Sequence, residues 1–138
     1  MGQTLRKPAE ARTFSVSIQR PADVVYGYAS EIDNLPRWAS AFGAHVEKTS
    51  DTTAIVALPE GRATIEFAPL NPFGVLDHWV TSADGVRNAV AMRVIPNGDG
   101  ALVLFTLFRA EAMSAERFIE DCDWVERDLA TLKEVLEG

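Results

Sequence analysis

Along Phe14-Ser15-Val16-Ser17-Ile18 apolar and polar residues alternate, the mark of a strand with one buried face. The pattern then changes period. Arg20-Pro21-Ala22-Asp23 opens a helix, with proline suited to a first helical position and the acid to the positive end of the dipole. Val25, Tyr28 and Ile32 follow at helical spacing, and Asp33-Asn34-Leu35-Pro36 breaks that helix and caps a second, shorter one carrying Trp38 and Phe42. Gly43 ends the helical part. From His45 the chain reads as a meander, with candidate strands at His45–Thr49, Thr53–Leu58, Arg62–Ala68, Gly74–Thr81, Val86–Ile95 and Ala101–Phe108. The breaks between them, such as Ala-Asp-Gly and Pro-Asn-Gly-Asp-Gly, are turn chemistry.

Helical periodicity returns at the end. Phe118, Cys122, Val125, Leu129, Leu132 and Leu136 form one apolar seam, while Glu120, Asp123, Arg127 and Glu134 fall opposite. Ser114 is the candidate cap. A helix of about 22 residues is ~33 Å long at 1.5 Å per residue. So long a seam has to lie across the sheet. The expected fold class is therefore α+β: a seven-stranded curved antiparallel sheet around a long C-terminal helix, with two short helices after strand 1. Residues 1–11 read as a flexible tail, and 12–138 as one domain. A sheet of seven strands curls as it twists, and one helix cannot fill its hollow. A cavity is expected there.

Composition narrows the partners. The chain of 138 residues is 47% apolar, enough for a self-sufficient core. Its net charge of −7, with Arg and Lys scattered singly, argues against nucleic acid and against stable docking on anionic membranes. No window approaches the ~18 apolar residues of a membrane span. A single cysteine and no signal-peptide core point to the cytoplasm. Two isolated histidines and that cysteine do not make a metal site, and neither a P-loop nor a dinucleotide fingerprint occurs, so no cofactor is expected.

The order of elements, with Pro21-Ala22-Asp23-Val24-Val25 in the first helix and Leu35-Pro36-Arg37-Trp38 in the second, resembles the START-like superfamily. Its relatives include the birch-pollen-allergen fold and the bacterial polyketide cyclase/dehydrase and lipid-transport (SRPBCC) group. Gly74–Val80, Met92-Arg93-Val94 and Gly100–Thr106 also look like segments of small bacterial members. The resemblance spans about Arg12 to Leu136 and implies a helix-grip fold with a hydrophobic pocket. It implies no universal catalytic set, because the superfamily includes carriers, receptors, cyclases and chaperone activators.

The pocket's polar groups hinge on one hairpin. Asp84-Gly85 favours a two-residue type I′ loop, which opposes Ala83 to Val86 and pairs Thr81 with Asn88, Trp79 with Val90 and Asp77 with Met92. Trp79, Val90, Met92 and Val94 then make the apolar, inward face and carry Asp77 with them, leaving His78 and Arg93 outside. A one-residue slip reverses this. An inward Asp77 is a candidate catalytic base or a handle for a ligand hydroxyl; a carboxylate at the strand's wet end is the alternative. The expected lining comprises Tyr28, Trp38, Phe42, Phe67, Asp77 and Trp79, joined by Val90, Met92, Phe105, Phe118 and Cys122. Cys122 lies in the helix seam as packing, not as a nucleophile.

The leading expectation is a carrier or sensor for a small hydrophobic or aromatic molecule. One alternative is a cyclase/dehydratase-type enzyme using the same cavity. The other is a protein-interaction module, or a homodimer, using the outer sheet face at Leu102–Phe108; monomer and homodimer both remain open.

Overall fold

The computed structural model describes residues 7–40, 45–58 and 61–138. Seven strands form one antiparallel sheet: β1 (Ala11–Ile18), β2 (Val46–Lys48), β3 (Thr53–Leu58), β4 (Gly61–Phe67), β5 (His78–Thr81), β6 (Arg87–Asn97) and β7 (Gly100–Phe108). Their spatial order is β1-β7-β6-β5-β4-β3-β2. Consecutive strands are neighbours from β2 to β7, because each is joined to the next by a turn or short loop. β1 instead pairs with the last strand, Phe14 opposite Phe105 and Val16 opposite Val103. Its ladder starts three residues before the alternation that marks it in sequence.

Since β1 and β2 sit on opposite edges, the segment between them must cross the sheet. Two short helices make that crossing: α1 (Ala22–Ser30) and α2 (Leu35–Trp38), joined by a 3-10 turn at Ile32–Asn34. Pro21 lies just outside α1, and its carbonyl accepts from the amides of Val24 and Val25. Val25, Ala29, Ile32, Leu35 and Trp38 are buried, so the helical period puts one face of the crossing against the sheet.

The last helix, α3 (Ala115–Glu137), starts at Ser114, whose hydroxyl accepts from the Arg117 amide at 3.1 Å. All six seam residues from Phe118 to Leu136 are buried. The helix packs on β1, β7 and α2. Its C-terminal end is tied to the β1–α1 turn: Lys133 donates to the Ser17 carbonyl, Arg20 to the Leu136 carbonyl, and the Gln19 amide to Glu137.

One expectation about the sheet is corrected. The β5–β6 turn is a three-residue loop, Ala83-Asp84-Gly85, closed by the Ser82 amide donating to the Val86 carbonyl at 2.9 Å. A type I′ turn would need Asp84 at positive φ, and no described residue other than glycine adopts one. Gly85 alone takes the left-handed conformation, at φ 87°, while the Asp84 carboxylate accepts from the Ser82 hydroxyl and the Val86 amide. The extra loop residue shifts the pairing by one: His78 opposes Val90 and Trp79 opposes Ala89. β6 keeps Val90, Met92 and Val94 inward, whereas β5 turns over, taking Asp77 and Trp79 outside and His78 inside.

Candidate functional site

The inner face of the sheet, the α1–α2 crossing and α3 enclose an apolar interior. Its contiguous core includes Trp38, Phe67 and Met92, with Tyr28 and Phe105 packed against it. Val90, Phe118 and Cys122 are buried as well. Burial pushes the Cys122 thiol above its ordinary range, which keeps it protonated and unreactive. Phe42 lies outside the described residues. The interior is not fully sealed. Phe14, Val16, Leu58, Val80, Phe105 and Leu107 face inward by strand alternation, yet each keeps part of its surface accessible.

Three polar groups enter this space. His78 is 5% exposed, and its ring sits 4.9 Å from Phe67 and 5.9 Å from Phe105, centroid to centroid. Its Nδ1 lies 2.9 Å from the Leu76 carbonyl, which can only accept, so Nδ1 carries the proton and Nε2 is left as a lone pair. Burial drives the His78 pKa down to about 4, so the ring is neutral at pH 7. The other two groups come from the helical crossing. Tyr28 Oη and Trp38 Nε1 are buried, and neither has a hydrogen-bond partner among the described residues. Tyr26, two positions from Tyr28, is by contrast satisfied: its hydroxyl accepts from the Asn71 amide at 3.0 Å.

Asn71 organises the β4–β5 connection beside that helix. Its amide group donates to the carbonyls of Pro69 and Val75, and its side-chain oxygen accepts from the amides of Phe73 and Val75. Gly74 closes the same loop at φ 72°, where a Cβ would stand 2.1 Å from the Val94 carbonyl oxygen. Only glycine fits there.

Asp77, expected inside as base or handle, is on the outer face. It accepts from the Met92 amide at 2.9 Å and from Arg93 Nε and Nη2 at 3.1 and 2.9 Å. The Arg93 guanidinium, first, holds its carboxyl below the usual range; burial opposes this, and the Met92 amide adds to the lowering. A carboxylate so engaged is a poor base. Trp79, also expected inside, is 41% exposed and stacks under Arg87, whose guanidinium carbon lies 4.1 Å from the ring centroid. A groove of about 360 Å³ crosses this outer face, lined among others by Trp79, Ala89, Ala91 and Phe108.

His78 was missed because the face of β5 was assigned from its tryptophan. Parity with Leu76 and Val80, two apolar residues flanking the histidine at alternate positions, is the signal that points the right way. Among the described residues no three His, Cys, Asp or Glu side chains gather into a metal site, and no helix is long and apolar enough to cross a membrane.

No protein-family model matches this sequence, and no curated protein sequence does. Solved structures do match in shape. An uncharacterised protein from Bacillus thuringiensis aligns with a TM-score of 0.75 at 17% identity, covering 94% of this chain and 100% of that one. Ara h 8.0201 aligns at 0.66 with 6% identity, over 93% of this chain and 97% of its own. The chain has a helix-grip fold. DynU16, a protein of the dynemicin biosynthetic locus, shares the helix-grip fold at a TM-score of 0.71 and 18% identity; the match covers 95% of this chain and 48% of DynU16. At such identities the likeness concerns the fold alone.

Proposed function

We propose that this protein binds a small, largely apolar molecule carrying at least one hydrogen-bond acceptor oxygen, held between the inner sheet face and the helices, and that it acts as a carrier or sensor. The observation that carries this reading is the pair of buried, unpartnered donors, Tyr28 Oη and Trp38 Nε1, beside an apolar and incompletely sealed interior. An unpaired buried donor costs about 1–3 kcal/mol, and an acceptor on a guest recovers that loss. Indole can only donate, so the guest supplies a carbonyl, ether or similar oxygen. His78 Nε2 accepts in turn from a hydroxyl on the same kind of molecule. The match in shape to a protein of a biosynthetic locus agrees with a fold suited to holding such compounds.

The test compares two probes of similar shape, a polycyclic hydrocarbon and its quinone, by fluorescence titration. Trp38→Phe and Tyr28→Phe should each weaken quinone binding about tenfold, near 1.4 kcal/mol, and leave the hydrocarbon unchanged. The free protein should be no less stable in either variant, because an unsatisfied donor has been removed. Equal affinities for both probes in all three proteins would refute the reading. Native mass spectrometry of protein from its own host then identifies the guest.

A second reading rests on His78. A neutral imidazole with its proton on Nδ1 and a lone pair on Nε2 is the state a general base requires, and it fits a cyclase/dehydratase-type reaction without metal or organic cofactor. It predicts turnover that His78→Phe abolishes while probe binding persists.

A further inference from the structure

We infer that two copies of this chain pair through the outer face of the sheet, independently of what the interior holds. Strand alternation places Trp79 on β5, Ala89, Ala91 and Ile95 on β6, and Leu102, Leu104 and Phe108 on β7 on that face. The register makes them contiguous, with Ile95 opposite Leu102 and Arg93 opposite Leu104. Trp79, Ile95 and Phe108 are each more than two-fifths exposed. The helices pack on the opposite side, so no described element covers this stripe. Patches of this kind on otherwise charged surfaces mark association sites.

Charge selects the occupant. The chain carries −7 overall. On the outer sheet face, however, the described acids pair with bases one for one: Glu47 with Arg62 and Glu66 with Arg87, both at 3.8 Å, and Asp77 with Arg93 at 2.9 Å. The acidity lies elsewhere. In α3, eight acidic side chains stand against three basic ones. Nucleic acid and anionic lipid find no positive field on the sheet face. A second copy, repelled at its helix side, meets no net repulsion there, and its own ion pairs and apolar stripe complement an identical set. A two-fold axis through the sheet satisfies this, because each patch is then its own partner. Trp79 and Phe108, walling a groove floored by Ala89 and Ala91, are the anchors.

Sedimentation equilibrium of the full chain tests the inference. The expected mass is twice 15.1 kDa, falling to the single-chain value on dilution, and association should tighten as salt screens the acidic helices. Leu104→Glu and Ala91→Arg should each shift dissociation at least a hundredfold toward the single chain, with unchanged far-ultraviolet dichroism. Should either substitution disturb folding, a nitroxide on Thr106→Cys gives an independent readout, since Cys122 is buried and stays unlabelled. The expected result is a dipolar coupling between copies that disappears on dilution. A single-chain mass at every concentration would overturn the inference, as would a dimer that both substitutions leave intact or one without that coupling.

Discussion

His78 makes the stability of this fold sensitive to mild acid in a way that can be isolated. The imidazole ordinarily titrates at 6.5, and burial lowers it to about 4 in the folded chain. Above pH 6.5 both states carry a neutral ring, and the group contributes no pH dependence. As the pH falls below 6.5 the unfolded chain takes up a proton that the folded chain refuses, so stability drops until the folded ring also protonates near 4. At about 1.4 kcal/mol for each pH unit, the loss between pH 7 and pH 4 is about 3 kcal/mol, a large part of a typical folding free energy. The wild-type profile sums every titrating group, so it is not diagnostic alone. The comparison that isolates His78 is with His78→Phe, whose ring fits between Phe67 and Phe105 and cannot titrate. Urea unfolding at intervals from pH 7 to pH 4 should show the gap between the two proteins changing by about 3 kcal/mol in favour of the variant. The absolute gap at pH 7 is immaterial; it combines an abandoned Leu76 carbonyl with added apolar surface. A gap constant across the range would show that His78 protonates in place, and would remove the dry, neutral imidazole on which the acid–base reading stands.

Three further outcomes follow from the geometry. Gly74→Ala should cost at least ~2 kcal/mol in urea unfolding, from left-handed backbone strain plus a Cβ 2.1 Å from the Val94 carbonyl oxygen; an unchanged midpoint would contradict the close approach of that loop to β6. Asp77→Asn should lower stability by no more than ~1 kcal/mol at pH 7, as befits a half-exposed ion pair. The deficit should fade in acid, because a carboxyl held low in the folded state loses its contribution as it protonates, and probe binding should not change. Cys122 should react with a disulfide reagent only at the rate of global unfolding, and a fast, denaturant-independent reaction would show the α3 seam to be open.

The long elements of this fold are readable from periodicity because each rests on many residues. The α3 seam repeats over about five turns, and no single substitution could disguise it. The face of β5 rests on far less. Four residues form the strand, and their orientation is decided by whether Asp84 or only Gly85 adopts positive φ. An Asp-Gly pair serves both two- and three-residue loops. The local choice came from the Asp84 carboxylate capping Ser82 and Val86, a tertiary detail invisible to pattern. Trp79 reinforced the error, since an aromatic residue reads as core until the cation that covers it is known. Tyr28 and Trp38 were singled out correctly as aromatic residues of the helical crossing. That their polar atoms lack partners could not have been read, because Tyr26, also on α1, finds one in a loop over forty residues away.

The pairing of the first strand with the last also governs when the molecule can form. Thr13 and Thr106, whose hydroxyls meet at 2.8 Å, are 93 positions apart. During synthesis the β1 segment therefore waits, with Phe14, Val16 and Ile18 uncovered, until β7 has emerged. Closing so large a loop is slow, and the meander from β2 to β6 can assemble beforehand with its β6 edge bare. That interval leaves the β1 segment and a sheet edge unpaired together, the condition in which a chain is prone to associate with its neighbours.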